Sequence, residues 1–466
     1  MVPAPARHRC RPGDGGRARA RRRGAAKGGE VRLIALGLGL SLLGCAAAPV
    51  DYGALQSAAT ERQRWSDGSE AEARRDAKQL LQRPLTADSA ARVALLRNRG
   101  AKAAAQTLGI AQAELASVKR LPNPELHGSI RFRRNEDPEL DIAALLDVSS
   151  LLLSLSRTSA AEAEVAAARL EAVGALVDLS YDARRAFVDY QAALELLELR
   201  TTVLGAFDAS AMAAERMSAA GNVTELTVAS EQALREEARL AVDEAKAAVE
   251  SARQALNGAM GINEQGVSWR AAARLPELPS AELALDQLET KSLQASLDVQ
   301  AAKQRYAAAA KQAGIANVGG WLPELKAGVS AEREEHWGVG PAVQLTLPLF
   351  YQGQGEVGVA RARMKREEHL YADASVQVRN TARALRAELE SARRGVRQQH
   401  GVVLPLRQRV VQQTQLEFNA MQVGIFQLLA AKRDQLAAAE HYLELRRRYW
   451  RARLEAEQLL AGRRVR

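Results

Sequence analysis

Apolar and polar residues alternate one by one in four short stretches of the chain, and this pattern predicts four β-strands. The apolar sets are Leu126, Gly128, Ile130 and Phe132; Leu140, Ile142, Ala144 and Leu146; Leu325, Ala327 and Val329; and Val343, Leu345, Leu347 and Leu349. Period-two alternation over about ten residues is typical of a strand with one face in lipid and one in water. An ordinary half-buried antiparallel sheet gives the same pattern, so the alternation alone leaves both structures open.

Long stretches that are rich in alanine and poor in proline predict helices for most of the remaining chain. The four longest are expected over residues 156–219, 224–256, 356–422 and 426–460. Pro405 is expected to kink or divide the third of them. The first would be roughly 95 Å long at 1.5 Å per residue, too long to be buried in a compact domain. Each long helix therefore needs other helices beside it.

The predicted strands set a requirement for assembly. Four strands cannot close a barrel, and open sheet edges are not tolerated in hydrocarbon. The smallest bilayer barrels have about eight strands. Three copies of this chain would supply twelve strands and would give every long helix neighbours on both sides. The pattern therefore favours a homotrimer: a trimeric α-barrel of duplicated helical hairpins joined to a 12-stranded transmembrane β-barrel, in a mainly α chain with a small β part.

The chain repeats one plan at an interval of about 200 residues. Pro124-Glu125-Leu126 recurs as Pro323-Glu324-Leu325, each after a helical run, over 87–120 and 283–316. We match the turn Gly221–Leu226 with Gly424–Leu429. The expected parts are a leader (1–44), an N-terminal belt segment (45–84), a first repeat (85–258), a linker (259–282), a second repeat (283–462) and a short tail (463–466).

The N-terminal region has the pattern of a bacterial lipoprotein signal. An apolar run from Leu33 to Gly44 follows Arg32 and is far shorter than a membrane span. Cys45 then offers a thiol that can take up lipid such as palmitate. The alternative is a chance buried cysteine after an apolar stretch. Residues 1–30 are unusually long and rich in Arg and Gly for a leader, so we expect translation to start at Val31.

Charge and reactive residues exclude several classes of function. Residues 1–44 hold ten basic and two acidic side chains, which is +8 of the whole-chain charge of +10. The basic character therefore belongs to the leader and indicates no nucleic-acid partner. Cys10 and Cys45 are the only cysteines, so the mature chain has no disulfide and no Cys metal site. Histidines are scattered and no catalytic motif is present, which argues against an enzyme and against any cofactor beyond the lipid on Cys45.

Several motifs in this order resemble the outer-membrane efflux channel family typified by TolC, in its lipoprotein branch. They are Leu85-Thr86, Leu121-Pro122-Asn123-Pro124, Leu345-Thr346-Leu347-Pro348-Leu349-Phe350 and Val423-Gly424. The resemblance covers about residues 85–462. It implies an outer-membrane channel that extends into the periplasm and conducts solutes from an inner-membrane pump through a periplasmic adaptor protein. The family has no catalytic residues.

The resemblance also implies roles for the two helical turns, which lie at the periplasmic tip in the family. The adaptor is expected to contact Gly221, Asn222, Val223, Thr224, Gly424, Ile425 and Phe426, although these residues could simply end helices. Both glycines are expected to supply the backbone freedom of a tight turn. Candidates for the aperture are Glu225, Gln427 and Asp434. Three copies of Glu225 would form an acidic ring that attracts cations, whereas Gln427 is neutral where relatives commonly carry acids.

Two other functions remain open at this stage. A periplasmic adaptor is also tethered and carries a helical hairpin, but it has one hairpin where this chain predicts two. A structural coiled-coil lipoprotein of the envelope would not need the four alternating strands. The transported solute and the identity of pump and adaptor cannot be deduced from these residues.

Overall fold

The computed structural model describes residues 70–132, 138–263, 268–272, 274–280, 283–322, 324–333, 336–347 and 349–465, all within one unit spanning Ala47–Arg466. Its helices are α1 (Glu70–Gln82), α2 (Ala87–Arg97), α3 (Arg99–Val118), α4 (Val148–Ala219), α5 (Glu225–Met260), α6 (Leu288–Ala295), α7 (Leu297–Gly319), α8 (Gln354–Gln398), α9 (Leu404–Asn419) and α10 (Ile425–Leu460). The predicted leader and Cys45 lie outside the described residues. None of the described helices is both long and apolar enough to cross a bilayer.

The four predicted strands form one antiparallel sheet. They are β1 (Glu125–Arg131), β2 (Glu139–Asp147), β3 (Glu324–Arg333) and β4 (Trp337–Thr346), in the spatial order β1-β2-β3-β4. The predicted fold class of long helices with a small β part is confirmed for the single chain. The last strand is shorter than predicted, because Leu347 and Leu349 lie beyond its end at Thr346.

Both repeats contain a break in the helical run that precedes their strand pair. Each predicted helical run, over 87–120 and 283–316, is in fact divided. Asn98 separates α2 from α3, and its side chain accepts a hydrogen bond from the Gly100 amide at 2.7 Å. Ser296 separates α6 from α7 and caps Val299 at 3.2 Å. Both residues are extended N-caps, which end one helix and start the next.

The longest helix, α4, starts directly at the end of a strand. It has 72 residues and is therefore about 108 Å long. It begins eight residues earlier than predicted because Asp147, the last residue of β2, caps it. The Asp147 carboxylate accepts hydrogen bonds from the Ser150 amide at 2.9 Å and from the Ser149 hydroxyl at 2.7 Å. At this junction the sheet therefore passes directly into the helical part.

The helices pack side by side in two hairpins. α4 lies along α5, α7 and α10, and α8 lies along α7 and α10. The predicted division at Pro405 is confirmed, since a π-helical turn over Gln399–Val403 separates α8 from α9 just before it. Proline has no N–H to donate and its ring collides with the preceding turn, which the wider π-turn accommodates. Gln399, which is buried, donates to the Ala438 carbonyl at 2.8 Å and holds this point against α10.

The N-terminal helix and the linker between the repeats lie together against the middle of α4. The Leu85 amide donates to the Arg270 carbonyl at 2.7 Å, and Trp269 packs edge-on against Tyr190 at 5.0 Å. Further along the linker, Arg446 of α10 donates to the Leu275 carbonyl. The described residues of these two segments, from Glu70 and from Ile262 onward, therefore lie beside the same long helix.

The basic and aromatic run from Tyr442 to Trp450 joins two helices. Arg446 forms an ion pair with Glu195 at 2.8 Å, and Arg447 pairs with Asp189 at 2.9 Å. These contacts connect α10 to α4, so the run stabilises the helix layer.

Candidate functional site: the two faces of the sheet and the distal turns

The strand registers place nearly all apolar strand residues on one face of the sheet. One row runs from Leu126 through Ala144 and Val329 to Pro341, with each residue opposite the next. The remaining members of this apolar face are Gly128, Ile130, Leu140, Ile142, Leu146, Leu325, Ala327, Ala331, Trp337, Val339, Val343 and Leu345, with Arg333 as the charged exception at the end of β3. Large side chains on this face are exposed, including Leu126 at 76% and Val339 at 72%. Water is an unfavourable environment for so large an apolar surface.

The opposite face of the sheet is polar and mainly acidic. Its carboxylates are Glu125, Glu139, Asp141, Asp147, Glu324 and Glu332, against the two cations Arg131 and Lys326. The Lys326 ammonium lies 2.8 Å from Glu125 and 3.3 Å from Glu324, so it neutralises part of one end. The excess of acids leaves this face with a negative potential that attracts cations.

The first distal turn, between α4 and α5, is closed by a left-handed glycine. Gly221 has φ of 74°, and its amide donates to the Ser218 carbonyl at 2.8 Å. The Asn222 amide donates to the Met217 carbonyl, also at 2.8 Å. This pair of bonds is the Schellman ending of a helix, which satisfies carbonyls that the helix itself leaves free. Gly221 therefore supplies the backbone freedom that this turn requires, and its contact with an adaptor stays a prediction.

The second distal turn, between α9 and α10, has the same ending but places it at a different residue. Met421 has φ of 60°, and its amide donates to the Phe418 carbonyl at 2.9 Å. The Gln422 amide donates to the Glu417 carbonyl at 2.9 Å. The expectation that Gly424 supplies the left-handed conformation was wrong, because Gly424 is extended with φ of −80°. The matching of Gly221 with Gly424 was therefore shifted by three residues.

Once Gly221 is matched with Met421, the residues after each turn have different roles from those expected. Thr224 and Gly424 are the equivalent N-caps of α5 and α10. Gln427 accepts a hydrogen bond from the Gly424 amide at 3.3 Å, so its side chain caps a helix and is not the counterpart of Glu225. The counterpart of Glu225 is Ile425, the first residue of α10. An acidic side chain at that position therefore occurs in one hairpin only.

The remaining tip residues differ in exposure. Glu225 is exposed at the start of α5, where the helix dipole favours an acid. Phe426 is half-buried, whereas Leu226, its equivalent in the first hairpin, is 77% exposed. Met421 is 94% exposed. The predicted adaptor contacts included neither Leu226 nor Met421, because an apolar residue within a helical pattern gives no sign that it will be exposed.

Asp434, the third aperture candidate, is paired. Its carboxylate lies 2.8 Å from Arg407, and both side chains are exposed. Arg407 belongs to α9 and Asp434 to α10, so the pair links the two helices near the second turn. Its negative charge is locally balanced, which reduces its expected effect on passing ions.

Comparison with known proteins identifies the fold. No family model matches the chain. It is 24% identical over 384 residues to the cobalt-zinc-cadmium resistance protein CzcC of Cupriavidus metallidurans, covering 81% of this chain and 90% of the relative. Among solved structures, it is similar to the CmeC outer membrane channel of Campylobacter jejuni, with a TM-score of 0.64 and 15% identity over 81% of this chain and 85% of that chain. It is also similar to the MtrE outer membrane channel of Neisseria gonorrhoeae in its open state, with a TM-score of 0.63 and 18% identity over 83% and 89%.

Proposed function

We propose that this chain, which has the fold of the TolC-like outer-membrane channels, is the outer-membrane channel subunit of a tripartite efflux system. The sheet carries the proposal, because its apolar face spans all four strands and its opposite face is polar. A sheet of this kind fits a barrel wall between lipid and water. The long hairpins then extend from the outer membrane into the periplasm. A structural coiled-coil lipoprotein would have no use for such a sheet.

The proposed assembly is a homotrimer that works with a periplasmic adaptor and an inner-membrane pump. Lipid on Cys45 would add an anchor in the outer membrane. The test is to purify the chain from outer membranes in detergent, determine its oligomeric state by chemical cross-linking, and measure conductance in planar bilayers. A stable trimer with ion conductance is expected. A water-soluble monomer that conducts nothing would defeat the proposal.

The adaptor is proposed to contact the two distal turns. The supporting observation is that both tips expose large apolar side chains, Leu226 in the first hairpin and Met421 in the second. The residues predicted for this contact, from Gly221 to Thr224 and from Gly424 to Phe426, surround them. Replacing Leu226 with Asp should abolish adaptor binding and leave the trimer intact. The exposed Leu240, further along α5, provides a control at which Asp should leave adaptor binding intact.

The channel is proposed to favour cations. The acid excess on the polar face of the sheet supports this preference, and Glu225 would add a second acidic ring at the tip. The relative CzcC is named for resistance to cobalt, zinc and cadmium, which are cations. Reversal potentials in a KCl gradient should show cation selectivity, and Glu225→Gln should reduce it. Unchanged selectivity in Glu225→Gln would reject the ring at the tip.

A further inference from the structure

The spatial order of the strands leaves β1 and β4 at the two edges of the sheet. Both edges carry exposed apolar side chains on the same face, including Ile130 at 60% on β1 and Val343 at 69% on β4. Unpaired backbone groups at such edges need partners in a membrane. An edge strand from a second copy of this chain is a chemically matched partner.

The internal repeat relates the strand pair β1–β2 to the strand pair β3–β4 by a fixed number of residues along the chain. Leu126 lies opposite Ala144 in the first strand pair, and Leu325 lies opposite Leu345 in the second. The repeated Pro-Glu-Leu motif equates Leu126 with Leu325, so β1 maps to β3 by 199 residues and β2 maps to β4 by 201. Both shifts are odd, as required to keep apolar residues on the apolar face.

The pairing of β2 with β3 therefore shows the register in which one strand pair joins the next strand pair. In that joint Leu145 lies opposite Gly328, and Ala144 lies opposite Val329. Moving Leu145 forward by 201 residues gives Thr346, and moving Gly328 back by 199 gives position 129. The same operation on Ala144 and Val329 gives Leu345 and position 130.

We propose that β4 of one copy pairs antiparallel with β1 of a second copy in this register, so that Thr346 lies opposite Ser129 of the partner subunit. Leu345 then lies opposite Ile130 of the partner subunit, and Val343 opposite Phe132 of the partner subunit. The inference rests on the proposed function, since it describes how the subunits of the channel join.

The chemistry of the paired residues agrees with this register independently of the repeat. Leu345 and Val343 are apolar and meet apolar residues, whereas Thr346 meets a serine on the polar face. A slip of one residue would turn every side chain of one strand to the wrong face and place apolar residues against polar ones. The surviving alternatives are slips by two residues, which keep the faces but change the pairs.

Engineered cysteines can distinguish the proposed register from its two-residue slips. The natural cysteines are Cys10 in the leader and Cys45, so thiols placed in the sheet are chemically isolated. Directly opposite residues in an antiparallel pair have Cα atoms about 4.5–5.5 Å apart, within the range that a disulfide bridges. Residues two positions further along are separated by roughly 7 Å more of strand, which puts them out of reach.

The experiment compares three double variants in outer membranes under mild oxidation. Thr346→Cys is combined with Ser129→Cys, with His127→Cys or with Arg131→Cys, and covalent dimers and trimers are measured on denaturing gels. The Ser129→Cys pair should cross-link on the order of tenfold faster than either other pair, because only its sulfur atoms can reach bonding distance. All four altered positions are on the polar face and are exposed, so the three double variants are matched in exposure to the oxidant.

Each outcome decides a separate point when conductance is measured on the same preparations. Faster cross-linking through His127→Cys or Arg131→Cys would overturn the register while leaving the strand pairing in place. A conducting channel with no cross-link in any variant would overturn the pairing and leave the proposed function standing. A monomer that neither cross-links nor conducts would reject the proposed function as well.

Discussion

Met421 occupies the same left-handed backbone position in the second distal turn that Gly221 occupies in the first, with φ of 60° and 74°. Both residues follow the end of a long helix by two positions, and both amides donate back to the helix. A side chain in this conformation costs roughly 1–2 kcal/mol, which glycine does not incur. The second turn therefore holds its shape at an energetic disadvantage.

Replacing Gly221 and replacing Met421 should change the free energy of unfolding in opposite directions. We expect Gly221→Ala to lower the free energy of unfolding by about 1 kcal/mol, because alanine would be strained at positive φ. Met421→Gly should raise it by up to about 1 kcal/mol, since removal of strain is partly offset by greater entropy of the unfolded chain. Thermal unfolding of the purified protein measures both. A loss of stability in Met421→Gly would show that the methionine side chain makes contacts that outweigh its strain.

Gly328 should tolerate no side chain. A Cβ atom there would lie 1.8 Å from the Ala144 carbonyl oxygen, whereas one at Gly340 on the neighbouring strand would meet nothing within 4 Å. We expect Gly328→Ala to cost about 1–3 kcal/mol through displacement of β2 from β3. Gly340→Ala serves as the matched control and should leave the yield of assembled channel unchanged. Equal yields from the two variants would contradict the close contact.

Arg463 should be the most important residue of the C-terminal tail. Its buried guanidinium pairs with Asp178 of α4 and Asp298 of α7, joining two helices that are distant in the chain. Arg463→Ala would leave two carboxylates without their cation, and we expect a loss of about 2 kcal/mol in the free energy of unfolding. Arg464, which bonds to Gln377 at 3.0 Å, is the control, and its replacement by Ala should cost less than half as much. Denaturant unfolding distinguishes the two.

Removing Arg407 should uncover the charge of Asp434. We expect Arg407→Gln to increase the cation preference of the reconstituted channel, because the carboxylate loses the guanidinium 2.8 Å away. Stability should change by less than about 1 kcal/mol, as the pair is exposed. The double variant Arg407→Gln with Asp434→Asn should return selectivity to the starting value. Reversal potentials that do not move in Arg407→Gln would exclude Asp434 from the conducting path.

Glu164 should make stability depend on pH. Burial raises the pKa of its carboxyl above the ordinary value of 4.5, with Glu367, Glu171 and Glu114 acting in the same direction and Arg305 opposing them. The folded state therefore binds this proton more tightly than the unfolded state does. The resulting stabilisation is complete below about pH 4.5 and is lost as pH rises through the raised pKa.

Glu164→Gln should consequently unfold at a higher temperature than the natural protein at pH 7. We expect a difference of roughly 1–2 °C, limited by the partial exposure of the site to solvent. At pH 4 the difference should vanish, because the natural side chain is then protonated as well. Glu162→Gln alters an exposed neighbour that pairs with Lys119 and provides the control. A constant difference at both pH values would show that the effect is unrelated to ionisation.

The sequence predicted the elements well where one physical signal dominated. Alternating residues identified all four strands, and the division before Pro405 followed from the missing N–H of proline. The predicted start of α4 was too late. Asp147 caps the helix at the Ser150 amide, but Asp147 also ends a run whose alternation predicts a strand. The second turn was misplaced because glycine is the usual left-handed residue, and nothing local indicates that Met421 takes that role.

The candidate site was only partly predictable for a related reason. Glu225, Gln427 and Asp434 were identified by position and charge, yet their roles depend on their neighbours. Gln427 caps a helix and Asp434 is balanced by Arg407, which is 27 residues away in the chain. The contact of Asp434 with Arg407 joins two helices and leaves no trace in local composition.

Arg463 also couples the two halves of the internal repeat. It follows the last helix, α10, and its carboxylate partners lie one in each repeat, Asp178 in the first and Asp298 in the second. Any change that displaces the stretch after Leu460 would therefore loosen both repeats at once.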